Sequence, residues 1–171
     1  MELASLIRDV PDFPVKGVLF KDITTLIKEA DAFQEVIDRL TDRYTAMDVD
    51  MVVAIESRGF IFGAPLAYKL GAGLVPVRKP DKLPANTISE SYTLEYGTNT
   101  LEMHADAIQP GQRVLVVDDL LATGGSARAT INLVERLGGK VVGVAFMIEL
   151  DFLHGRDRLE GYDVLSLIHC D

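Results

Sequence analysis

Asp118 and Asp119 stand side by side after the apolar run Val114-Leu115-Val116-Val117, and Leu120-Leu121-Ala122-Thr123-Gly124-Gly125-Ser126 follows them. Two adjacent carboxylates can accept hydrogen bonds from sugar hydroxyls or hold a divalent metal. The residues after them suit a different task. Gly124 and Gly125 place no Cβ between backbone and ligand. Thr123 and Ser126 offer hydroxyls, and the helical pattern over residues 127–137 turns the preceding amides into a helix mouth. A strand running into a Gly-rich turn and a helix N-terminus makes an anion site. Each amide bond to a charged phosphate contributes roughly 1.5–3 kcal/mol, and the helix dipole roughly 0.3–1 kcal/mol more. The stretch is not a P-loop, because no Lys follows the glycines, and Gly-x-Gly-x-x-Gly is absent. Two acids without a basic neighbour in the stretch are costly unless they meet a ligand or a metal. In the plainer alternative they cap the amides of the turn.

The elements that must position these residues follow from apolar periodicity. Residues 51–55 and 74–77 read as buried strands, with a helical stretch over 60–70 between them and Gly71-Ala72-Gly73 closing it. Residues 114–117, 141–148 and 163–168 read as further strands, and Gly138-Gly139 stops the second helix. Glu56-Ser57-Arg58-Gly59 is the turn after the first strand. Phe33, Val36, Ile37, Leu40 and Tyr44 form one helical face, with Asp31 as its cap and Gln34 as capping-box partner. Leu3, Leu6, Ile7 and Val10 fit a short amphipathic helix ended by Pro11-Asp12-Phe13-Pro14. Residues 87–103 alternate with period two around Gly97-Thr98-Asn99, which predicts an antiparallel hairpin able to act as an arm or lid. Strand–helix alternation with apolar strands predicts an α/β fold: a doubly wound, mostly parallel sheet flanked by helices, in a single domain of residues 1–171. Ligands in such sheets bind at the carboxyl ends of the strands, so the turns at 56–59 and 118–126 are expected side by side.

Composition narrows the function classes. With 171 residues the chain can bury a full core. A net charge of −9 argues against nucleic acid as the main partner. No apolar run is long enough for a membrane span. The first ten residues lack the pattern of a signal peptide, and the one cysteine, Cys170, excludes an internal disulfide, so the expected compartment is the cytoplasm. Basic residues cluster at Arg78-Lys79-Pro80-Asp81-Lys82, either as a solvated loop or as the local positive charge of an anion site. His104, His154 and His169 show no ligand spacing.

The run Val116-Val117-Asp118-Asp119-Leu120-Leu121-Ala122-Thr123-Gly124-Gly125-Ser126 resembles the phosphoribosyl diphosphate (PRPP) motif of the type I phosphoribosyltransferases. Pro11-Asp12-Phe13-Pro14, Gly17-Val18-Leu19-Phe20-Lys21-Asp22-Ile23, Ser57-Arg58-Gly59-Phe60, Arg78-Lys79, Lys82-Leu83-Pro84 and Ser91-Tyr92-Thr93-Leu94-Glu95-Tyr96-Gly97 resemble the adenine-using branch of that family, so the likeness covers essentially the whole chain. The resemblance implies transfer of a phosphoribosyl group from PRPP to adenine, giving AMP and pyrophosphate, with Mg²⁺ as cofactor. Ala122, Thr123, Gly124, Gly125 and Ser126 would hold the 5′-phosphate. Asp118 and Asp119 would hold the ribose hydroxyls, directly or through water near Mg²⁺, which binds mainly through PRPP and water. Ser57, Arg58, Arg78, Lys79 and Lys82 would meet the diphosphate. Leu19, Phe20, Lys21 and Leu120 would bind adenine, within a hood over residues 1–30. Residues 79–105 would form the lid, with Tyr96 as a lid contact. Hypoxanthine–guanine relatives carry an acid just before Thr-Gly; here Ala122 stands there, so the resemblance assigns the acid–base role to Glu95. It also implies a homodimer. Two alternatives accompany this expectation: a relative specific for xanthine or another purine, and a PRPP-sensing regulator without catalysis. Such regulators usually carry a DNA-binding segment, and this chain shows no basic helix.

Overall fold

The computed structural model describes residues 1–94 and 96–171. The chain divides into two compact units, Met1–Arg39 and Leu40–Asp171.

In the first unit a 3-10 turn, Leu3–Leu6, leads into β1 (Arg8–Pro11), which pairs antiparallel with β2 (Leu19–Asp22). The expected amphipathic helix over Leu3 to Val10 is therefore confined to its first turn. Ile7 is already extended, and Val10 pairs with Phe20 across the ribbon. Ile7 and Val10 are β-branched, which favours extended backbone over a further helical turn. Asp22 closes the ribbon. It accepts from the Thr24 hydroxyl at 2.7 Å, the Thr24 amide at 2.9 Å and Arg8 Nε at 2.9 Å. The Thr24 bonds and then Arg8 hold its carboxyl at about 2, below the usual range. The short helix α1 (Thr24–Ile27) follows. Helix α2 (Ala30–Tyr44) begins one residue before the expected cap, so Asp31 lies in its first turn rather than at the N-cap. Val36, Ile37, Leu40 and Tyr44 are buried as the periodicity predicts, and Phe33 is half-buried.

The second unit holds a five-stranded parallel sheet in the order β4 (Gly73–Val77), β3 (Met51–Ile55), β7 (Arg113–Leu121), β8 (Lys140–Leu150), β9 (Val164–Cys170). Strand alternation separates the two faces. Val53, Ile55, Val114 and Val116 share a buried cluster with Ile131, Leu133 and Val134 of α4 (Gly125–Arg136). Val52 and Ala54 point the other way, toward α3 (Arg58–Leu70), where a methyl group on Gly63 would come within 2.6 Å of Ala54 Cβ. The hairpin is β5 (Thr87–Thr93) with β6 (Thr98–His104), joined to the end of β4 by the Arg78–Glu102 bridge. Among the described residues no helix is long and apolar enough to cross a membrane.

The chain steps from β3 to β4 on one side and places β7 on the other. The sheet therefore has its switch point between β3 and β7, where a crevice opens at the strands' carboxyl ends.

Candidate active site

The pairing of β3 with β7 ends at Ala54–Val117, while β7 continues along β8 to Leu121–Glu149. Sequence reading ends the strand at Val117; in the structure Asp118 and Asp119 are inside it, past the last rung shared with β3. Pairing to β8 keeps this segment extended, and the missing neighbour on the other side makes the crevice. The turn after β3 is also shorter than expected. Helix α3 starts at Arg58, so only Glu56 and Ser57 precede it. A methyl group on Gly59 would come within 3.1 Å of both Asp118 Oδ1 and the Val117 carbonyl. The glycine of Ser57-Arg58-Gly59 thus lets the start of α3 sit against the acids.

The two turns lie side by side. Ser57, Arg58, Lys79, Asp118, Asp119, Leu120 and Ser126 line one cleft of about 310 Å³, together with Ile55, Glu56, Tyr92 and Leu101. Arg58 Nε donates to Asp119 Oδ2 at 2.5 Å. The basic partner missing from the acids' own stretch therefore comes from the neighbouring strand end. Asp118 is buried and accepts from the Asp119 amide at 2.8 Å. Burial, and next the charge of Asp119, push its carboxyl well above the usual carboxylate range. Such a pair favours the arrival of hydroxyl donors or a cation.

Gly124 sits at the N-cap of α4 with φ +87°, in the left-handed region, and Gly125 and Ser126 form the first turn. No side chain caps this helix and no acid stands in its first turn. Among the described residues the amides of Thr123 to Ser126 donate to no acceptor, so the expected anion cradle is open. The glycines also make room for protein. A methyl group on Gly124 would meet the Gly155 carbonyl at 2.5 Å, and one on Gly125 would meet Tyr92 Cδ2 at 2.7 Å.

Of the other basic residues, Arg78 and Lys82 lie outside the cleft lining, whereas Lys79 is part of it. Arg78 Nε donates to Glu56 Oε1 at 3.1 Å, and the Lys79 amide donates to the same oxygen at 2.8 Å. Lys82 and Tyr96 are exposed. Glu95 lies outside the described residues. In the first unit Leu19 is exposed, the Phe20 ring meets Phe13 edge-on at 5.1 Å, and Lys21 Nζ donates to Asp9 at 2.7 Å. Sequence reasoning placed Glu56 in the turn facing the acids but gave it no role of its own, and it missed Tyr92 as a cleft residue. Tyr92 looked like any apolar position of a hairpin.

Residues 24–168 match the family model described as "Phosphoribosyl transferase domain". The adenine phosphoribosyltransferase of Chloroflexus aurantiacus is 64% identical over 167 residues, which are 98% of this chain and 96% of that one. The crystal structure of adenine phosphoribosyltransferase from Thermoanaerobacter pseudethanolicus superposes with a TM-score of 0.96 at 56% identity, covering 99% of this chain and 98% of that one. The Saccharomyces cerevisiae enzyme, solved with an imino-altritol bisphosphate and adenine, gives a TM-score of 0.91 at 41% identity over 97% of this chain and 96% of that one. A strand-end acid pair, an open helix N-terminus and likeness along nearly the whole length agree: this chain belongs to the phosphoribosyltransferase family, among its adenine phosphoribosyltransferases.

Proposed function

We propose that the protein transfers the 5-phosphoribosyl group of PRPP to adenine, forming AMP and releasing pyrophosphate. The observation that carries the reading is the convergence of Arg58, Lys79, Asp118, Asp119 and Ser126 on one cleft at the switch point. Adenine as the acceptor is supported by the relatives' names. The bond from ribose C1 to the diphosphate oxygen breaks, and adenine N9 forms the new bond to C1. The amides and hydroxyls of residues 122–126 hold the 5′-phosphate. Asp118 and Asp119 accept from the ribose hydroxyls, which fixes C1 between nucleophile and leaving group. Ser57, Arg58, Arg78, Lys79 and Lys82 balance the charge of the departing diphosphate; Arg58 must exchange Asp119 for it. Leu19, Phe20, Lys21 and Leu120 bind the base, Tyr96 contacts the closed lid, and Glu95 takes the purine N7 proton. Lid closure over residues 79–105 excludes the water that would trap an oxocarbenium-like transition state.

The donor set fits Mg²⁺: two hard carboxylates stand together, both buried, and Asp118 has no hydrogen bond from a cationic side chain among the described residues. Asp118 and Asp119 would hold the ion, in part through water and PRPP oxygens, and it would supply charge to the diphosphate. The same reading takes the protein to be a cytoplasmic homodimer.

The test mixes protein, adenine, PRPP and Mg²⁺ and measures AMP, with hypoxanthine, guanine and xanthine as competitors. AMP formation that stops on chelation of Mg²⁺ is expected. Tight PRPP binding without AMP would replace the enzyme with a regulator, and a preference for another purine would replace adenine.

A further inference from the structure

The turn Gly155–Leu159, which follows β8, is packed backbone against backbone on the phosphate loop. A methyl group on Gly155 would come within 2.4 Å of the Ala122 carbonyl, and one on Gly124 within 2.5 Å of the Gly155 carbonyl. Both glycines are needed for this approach, and the approach brings in Arg158. Its Cβ lies 3.3 Å from the position of a methyl on Gly124, and its Nη1 lies 3.3 Å from that of a methyl on Gly125. The side chain therefore runs along the loop and carries its guanidinium to the first residue of α4.

The neighbouring cations are otherwise engaged. Arg156 Nε donates to both Glu149 oxygens at 2.9 Å, and Arg128 lies over the Tyr162 ring at 5.3 Å. Arg158 is exposed, and among the described residues no acceptor or carboxylate engages it. In a chain of net charge −9, an unengaged guanidinium is held beside open amides at an uncapped helix mouth.

We infer that Arg158 is a further phosphate-binding residue, which donates to the 5′-phosphate of PRPP and AMP from outside the Ala122–Ser126 motif. The inference rests on the reading of this loop as the phosphate site. Guanidinium geometry suits it, because two N–H groups can reach two phosphate oxygens where a lysine offers a point charge. Nothing in the motif points to Arg158, since it lies beyond the next strand and is delivered only by the packing of Gly155.

The experiment titrates AMP and adenine calorimetrically into the full chain and into Arg158→Ala and Arg158→Lys. For Arg158→Ala, AMP affinity falls about tenfold, the loss of one charge-assisted hydrogen bond, while adenine affinity does not change. Arg158→Lys recovers part of the loss. AMP affinity unchanged in Arg158→Ala overturns the assignment, and so does an equal loss for AMP and adenine, which would mark a merely structural role. An unsubstituted chain that binds no AMP overturns the phosphate-site reading itself, a different result from an intact site indifferent to Arg158. Thermal melting of each variant checks the fold.

Discussion

At the scale of single residues, the site is a pair of carboxylates in unequal settings. Both are buried; Asp119 has Arg58 at 2.5 Å, whereas at Asp118 burial and the charge of Asp119 disfavour ionisation. Both must meet donors or positive charge for the ribose to be held. Asp118→Asn and Asp119→Asn are each expected to weaken PRPP binding about tenfold or more in calorimetry, roughly the 1.5–3 kcal/mol of a hydrogen bond to a charged group. Unchanged affinity in both variants would remove them from the ribose site. The proton chemistry is assigned elsewhere, because Ala122 leaves the phosphate loop without an acid. Glu95→Gln is expected to lose most turnover, by about two orders of magnitude for a general acid–base group, while still binding PRPP. Near-normal turnover would end the case for Glu95.

At the scale of elements, two junctions hold the chain in its working form. Asp22 ties β1, β2 and α1 together through Arg8 and Thr24, and its pKa is lowered to about 2. A carboxyl with a depressed folded pKa contributes stability above its unfolded pKa and loses it as pH falls through the folded value. Asp22→Asn should therefore lower the melting temperature at pH 7, and the gap to the parent should narrow between about pH 4 and pH 2. A gap independent of pH would show that charge plays no part. The second junction joins Gly155 to the phosphate loop. No methyl fits at 2.4 Å from the Ala122 carbonyl, so Gly155→Ala must displace the loop. Overpacking of this kind costs about 1–3 kcal/mol. For a chain of this size that is a fall of roughly 2–4 °C per kcal/mol, with a raised KM for PRPP. An unaltered melting temperature and KM would show that the contact yields freely.

At the scale of the whole molecule, the sheet order decides where chemistry occurs. The switch point between β3 and β7 sets two strand ends from different parts of the chain against one cleft, and α4 aims its N-terminus there. Assembly is the remaining property at this scale. The resemblance implies two copies, so sedimentation equilibrium is expected to give twice the chain mass of 18.7 kDa. A single-chain mass at micromolar concentration would exclude the homodimer.

Much of this architecture was legible without coordinates. Buried strands of four or five apolar residues, glycine-stopped helices and a period-two hairpin are local patterns, and local patterns are what a sequence displays directly. The strand at residues 51–55 and the outer ends of the hairpin were bounded almost to the residue, because burial enforces their periodicity, whereas Thr98 and Asn99, read as part of the turn, are paired in β6. Reading failed where pairing overrode local preference. Val10 left a helical pattern for a strand, and β7 ran on through its two acids because β8 continued beside them. By itself, the sequence determined the type of each main element of the parallel sheet and the residue types of the strand-end acid pair and the glycine turn after it. Only the tertiary structure decided that Arg58, 61 residues from Asp119 along the chain, neutralises it, and that Tyr92 and Arg158 flank Gly125. Those contacts depend on which strands become neighbours and on how closely glycine lets backbones approach, and neither leaves a local periodic trace.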